Sequence, residues 1–169
     1  MILRRWPLAA CLALLSLPAH SVNLMMVDGI AGPSTVAQAY AGWFDVDTLA
    51  WGIDRSEPTG PAIVTVVIQS SAATAALAQP AASGAGLKRI VFDEVSLGQQ
   101  SIQVTARVQC EEALVRSYNS ASVPTVAGRA KVSLTIACGR ITWEYFDYAG
   151  TGPPSKSGKG SWNFRTNTP

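Results

Sequence analysis

Apolar residues recur along this chain with a period of two, the pattern of strands that bury one face and wet the other. The clearest run is Ile102, Val104, Ala106, Val108 and Cys110, interleaved with Gln103, Thr105, Arg107 and Gln109. A polar interval that reads as loop follows, and the alternation resumes at Val132, Leu134, Ile136 and Cys138. Together they predict one long β-hairpin from Ser101 to Tyr148, with each cysteine in the apolar set of its strand. Folding about Pro124 sets Cys110 opposite Cys138. Cβ atoms of a non-hydrogen-bonded antiparallel pair lie roughly 4.5–5.5 Å apart, close to disulfide reach. A Cys110–Cys138 bridge is therefore expected.

The same reading predicts strands at Val22 to Asp28, Trp43 to Ile53, Ile63 to Ser70 and Leu87 to Leu97. Within the second of these the apolar phase moves from Phe44, Val46 and Thr48 to Leu49, Trp51 and Ile53, so a bulge near Thr48 is expected. A similar change beyond Cys138, to Ile141, Trp143 and Tyr145, predicts a second bulge at Gly139. Gly29 to Gly42 reads as a loop. Ser71 to Ala82 is the one predicted helix, with Ser71 as its cap, Leu77 as its anchor and Pro80 ending or kinking it. The pattern divides the chain into residues 1–21, 22–148 and a Gly/Pro/Ser-rich tail, 149–169, in which Trp162-Asn163-Phe164 docks.

Residues 1–21 read as a secretory signal peptide: Arg4 and Arg5, the apolar run Trp6 to Leu17, then small residues and a cleavage point between Ser21 and Val22. Leu8-Ala9-Ala10-Cys11 has the outline of a lipidation box, but cutting there would leave most of the apolar run behind. The expectation is export to a periplasmic or extracellular, disulfide-permitting compartment, with no membrane insertion after cleavage. Cleavage removes Cys11 and His20, the single histidine. A mature chain without histidine excludes Ser-His-Asp and Cys-His catalysis and histidine zinc sites. Neither a cofactor nor a metal is expected.

Composition sharpens this. Charged residues are 14% of 169, against about 25% in an average soluble protein. Thirteen basic residues less Arg4 and Arg5 leave 11, equal to the 11 acidic ones. A neutral chain lacks the basic face of a nucleic-acid binder and favours self-association. Asp45 and Asp47 share a strand face, but no second group or apolar pocket accompanies them, so they read as solvated and the chain as no enzyme.

Leu24-Met25-Met26-Val27-Asp28-Gly29-Ile30-Ala31-Gly32 with Ser34, then Gly42-Trp43-Phe44-Asp45-Val46, Leu49-Ala50-Trp51-Gly52 and the late Gly139-Arg140-Ile141-Thr142-Trp143-Glu144-Tyr145, resemble in order the Hcp proteins, tube subunits of the bacterial type VI secretion system. The resemblance implies a mainly β fold: a small antiparallel β-barrel of two curved sheets with one short flanking helix. It further implies six-membered homo-oligomeric rings that stack into a hollow tube able to carry small protein cargo. Oligomer or inter-ring contacts would fall on Gly29, Ile30, Gly32, Pro33, Ser34 and Tyr40. The leader, the cysteine pair and Gly32-Pro33-Ser34 in place of Gly-Glu-Ser depart from the family pattern. A monomeric β-barrel module binding a glycan, peptide or small ligand is the alternative.

Overall fold

The computed structural model describes residues 20–54, 60–98, 101–121 and 130–169. The alternating stretches form strands β1 (His20–Val27), β2 (Phe44–Ile53), β3 (Ala62–Gln69), β4 (Leu87–Leu97), β5 (Ile102–Ala121), β6 (Lys131–Asp147) and β7 (Lys156–Asn163), with one helix, α1 (Thr74–Ser83). Sheet order is β3-β2-β1-β4-β5-β6-β7, and β3 also pairs with β6 from Ala62↔Cys138 to Gln69↔Lys131. Six antiparallel strands thus close into a barrel, and β7 extends the wall along the second half of β6. Among the described residues no helix is long and apolar enough to cross a membrane.

The barrel interior takes Met25, Phe44, Phe92, Val108 and Cys110 together with Ala62, Val64, Val66 and Ile68 of β3 and Val132, Leu134, Ile136 and Cys138 of β6. The bulge expected near Thr48 falls between Val46 and Thr48. In β5 the register shifts between Glu94 and Val95, where Ala106 faces Glu94 but Val104 faces Val95. Thr105 is the extra residue. It splits the run expected on one face: Val108 and Cys110 join the interior, while Val104 packs in a second cluster with Leu24, Tyr40 and Val95.

The polar interval is not loop at its start, because β5 continues to Ala121. The predicted turn at Pro124 lies outside the described residues. The bulge expected at Gly139 is corrected to a corner. Pairing runs Glu111↔Arg140 on one side and Ala113↔Cys138 on the other, with no residue gained. Both strands change phase together, with Glu112 in the left-handed region at φ 50. A Cβ on Gly139 would lie 2.8 Å from the Glu112 carboxylate and 3.0 Å from its Cβ. At this corner β6 leaves β3 and takes up β7. That strand corrects the reading of 149–169 as loop or tail; Phe164 just beyond it is buried in the core.

The helix starts at Thr74, three residues later than expected, and Ser71 does not cap it. Instead the Thr74 hydroxyl donates to the Ser71 carbonyl at 2.7 Å and accepts from the Ser71 N–H at 3.2 Å. Pro80 sits inside and neither ends nor excludes the helix, which forgoes one backbone bond and runs to Ser83 before Gly84 stops it at φ 69. Leu77 is the expected anchor, buried in the core.

Candidate assembly interface

The Gly29–Trp43 segment carries no charged residue and folds back on itself. The Gly32 N–H donates to the Gly42 carbonyl at 2.7 Å and the Ser34 N–H to the Trp43 carbonyl at 2.8 Å. Gly32 is obligatory, because a Cβ there would lie 2.3 Å from the Trp43 carbonyl oxygen and 2.7 Å from the Phe44 ring. The Ser34 hydroxyl donates to Asp45. Farther out, a 3-10 turn at Gln38–Tyr40 drives the Tyr40 side chain onto the outer face of the barrel, where its ring meets Trp43 edge-on at 4.9 Å between centroids.

Beneath Tyr40 lies Asp93, fully buried. Its carboxylate accepts two bonds of 2.7 Å from Arg107, its cross-strand neighbour, and one of 3.2 Å from the Tyr40 hydroxyl. Burial first, then the Asp93 charge, pushes the Tyr40 hydroxyl up to about 12. The hydrogen bond that Arg107 donates to Asp93 pushes it above its usual range, against its own desolvation.

Of the residues expected at oligomer contacts, Gly29 and Pro33 are exposed and Ile30 and Gly32 half-buried. Ser34 and Tyr40 are buried within the protomer, Tyr40 at 6% exposure, so their side chains hold the loop and do not face outward. Asp93 and Arg107 were missed by the sequence reading. Their only sequence signal is a charged residue at an outward strand position, which is ordinary by itself.

Cys110 and Cys138 are bonded, with Cα atoms 5.2 Å apart. They are not the facing pair the predicted register required: Cys110 faces Ile141 and Cys138 faces Ala113. In a straight ladder that three-rung offset would separate the Cα atoms by about 11 Å. The Glu112/Gly139 corner folds the ladder and brings them within reach.

Two strand edges stay half open among the described residues. From Thr48 to Ile53, β2 pairs only with β3; along Lys156–Trp162, β7 pairs only with β6. Ile53, at the end of the first edge, is 38% exposed. Asp45 and Asp47, which share a strand face, have separate structural partners, Ser34 for Asp45 and Lys131 for Asp47 at 3.3 Å. Among the described residues no group of three His, Cys, Asp or Glu side chains is placed to hold a metal ion. One mouth of the barrel forms a cavity of about 260 Å³ lined by residues including Asn23, Trp51, Glu94 and Tyr145.

A closed antiparallel barrel with an uncharged outer loop, an internal disulfide and two half-open edges defines a small β-barrel protein. The family model described as "Type VI secretion system effector, Hcp" matches residues 24–145. The chain belongs to the Hcp family. Among solved structures, Hcp1 from Salmonella typhimurium superposes with a TM-score of 0.74 at 13% identity, covering 88% of this chain and 97% of that one. A type six secretion system protein gives 0.75 at 20% identity over 88% and 99%, and a type VI secretion system effector from Yersinia pestis gives 0.67 at 13% over 83% and 98%. No curated protein matches the sequence.

Proposed function

We propose that this chain is a non-enzymatic structural subunit, exported by its leader, that assembles with copies of itself into six-membered rings and stacks them into a hollow tube outside the cytoplasm. The observation that carries this is the pair of half-open edges, β2 from Thr48 to Ile53 and β7. Two different edges on one protomer suit a heterologous contact, which closes into a ring when its rotation allows. Family membership supports a secretion tube and the low charge supports self-association. Cleavage between Ser21 and Val22 would remove two rungs from the end of β1, His20↔Leu97 and Ser21↔Ser96, and leave its six inner ones. The contact loop would present Gly29, Ile30, Gly32 and Pro33 to the next ring, and the lumen would take small protein cargo.

Negative-stain microscopy and light scattering of the mature protein test the reading: rings of one size are expected, and a strictly monomeric species across concentrations overturns it. The barrel-mouth cavity favours the second reading, a monomeric module in which Trp51 and Tyr145 stack on a glycan or small ligand. That reading predicts a stable monomer whose melting temperature rises with ligand.

A further inference from the structure

We propose that Tyr40, Asp93 and Arg107 form a latch that sets the pose of the Gly29–Trp43 loop for contact with a second copy of this chain. The proposal rests on the assembly reading above and adds the residues that position its contact surface.

Asp93 is the only buried charged residue among those described. A buried carboxylate is costly unless both oxygens are satisfied, and here Arg107 grips both while Tyr40 adds a third donor. Asp93 sits on the outward face of β4, beside Val95 of the outer cluster. The loop therefore lands on a charge pair and not on bare apolar wall. Elsewhere its contacts above β1 and β4 are apolar, Val36, Ala37 and Trp43 against Leu24 and Val95, while Ser34 ties its start to Asp45 of β2. Apolar contact is non-directional and tolerates sliding. A hydrogen bond to a fixed carboxylate does not, because it weakens steeply with angle and distance. The backbone bonds of Gly32 and Ser34 fix the root of the loop and local bonds hold its 3-10 turn together; the Tyr40 hydroxyl is the directional tie of that turn to β4. Gly29, Ala31, Pro33, Thr35, Gln38 and Ala39 remain exposed, a small uncharged surface that a like-shaped copy can approach closely only if its pose is constant.

Tyr40→Phe removes the tie and keeps the ring. Hydrogen exchange should then rise about tenfold or more in residues 35–43 and stay unchanged in β3. Melting should shift by a few degrees only, and rings should form but fail to stack. Arg107→Lys keeps the charge without the two-pronged grip and should fall between wild type and Tyr40→Phe in both readouts. Unchanged loop exchange in Tyr40→Phe overturns the latch; a loosened loop with normal stacking overturns its role in contact. A wild-type chain that stays monomeric overturns the assembly reading instead, and loop exchange still decides whether the latch positions the loop.

Discussion

Removing the Cys110–Cys138 bond tests the corner directly. The two cysteines are 28 residues apart, and the chain-entropy relation for a loop of that length gives about 3.5 kcal/mol of stabilisation. For a domain of this size that corresponds to roughly 7–14 °C in Tm. Both sulfur atoms are also packed in the core, so a single replacement loses packing as well as the bond. A double-mutant cycle separates the two terms. Cys110→Ala and Cys138→Ala each lose the bond plus one sulfur contact, and the double variant loses the bond once plus both contacts. The sum of the single losses should therefore exceed the double loss by about 3.5 kcal/mol, the contribution of the bond. The assay is urea unfolding followed by near-UV circular dichroism. The denaturant slope should rise in all three variants, because an uncrosslinked unfolded chain exposes more surface. Additivity within about 0.5 kcal/mol, or an unchanged slope, would refute the bridge as a constraint on this hairpin.

Gly32→Ala forces a methyl group into the Trp43 backbone and should cost about 1–3 kcal/mol; a thermal melt indistinguishable from wild type would exclude that contact. Tyr40 is held neutral by burial and by Asp93, with its hydroxyl pushed up to about 12. A group with a raised folded pKa stabilises fully below its unfolded value of about 10 and loses that contribution as pH rises through the folded value. Stability on the order of 2–3 kcal/mol should thus fade between pH 10 and 12 in wild type. The Tyr40→Phe chain should lack that component in urea midpoints measured across the range, and identical profiles would remove the assignment. Ile53→Lys places a charge at the open end of β2 and should leave monomer stability within about 0.5 kcal/mol while weakening rings in analytical ultracentrifugation. Equal ring dissociation in both proteins would remove β2 from the contact.

The alternation in the sequence revealed β1 to β6, and it hid a change of phase where both faces of a strand are covered. From Ile102 to Cys110 the apolar residues stay on even positions straight through the Thr105 bulge, because the loop covers the outer face there as the core fills the inner one. Two apolar environments on opposite faces hide a change of phase. At Ala113-Leu114-Val115 the alternation disappears beside α1, and a glutamate in the left-handed region gives none of the glycine or asparagine signal that marks such residues. The strand β7 has a composition of low β propensity, Lys-Ser-Gly-Lys-Gly-Ser, and exists through its ladder with β6. Its Gly160 packs against the Trp143 indole, where a Cβ would come within 2.5 Å. The disulfide was legible from two cysteines of like phase, although the register inferred for it was wrong. The latch joins residues 53 positions apart, and no local pattern marks such a contact.

The corner also has a place in the assembly reading. From the open half of β2 the hydrogen-bonded path runs through β3 to the first half of β6, then past Gly139 to the second half and β7. The Glu112/Gly139 bend therefore lies between the two edges that would meet neighbouring copies in the proposed ring, where its angle would set how far each copy turns relative to the last. Six copies close when that turn is about 60°, and an error in the bend repeats at every contact. Hydrogen bonds flanking a left-handed residue leave such a bend soft; a covalent bridge from Cys110 to Cys138 across it does not. In the exported assembly proposed above, fixing the angle before the copies meet would favour closure over open arcs. The Cys110→Ala/Cys138→Ala chain, imaged well below its own melting point, should show a mixture of arcs and rings of more than one size where the wild type shows one. A uniform ring population in that variant would mean that the ladder alone sets the angle, leaving the bridge a stabiliser of the protomer and nothing more.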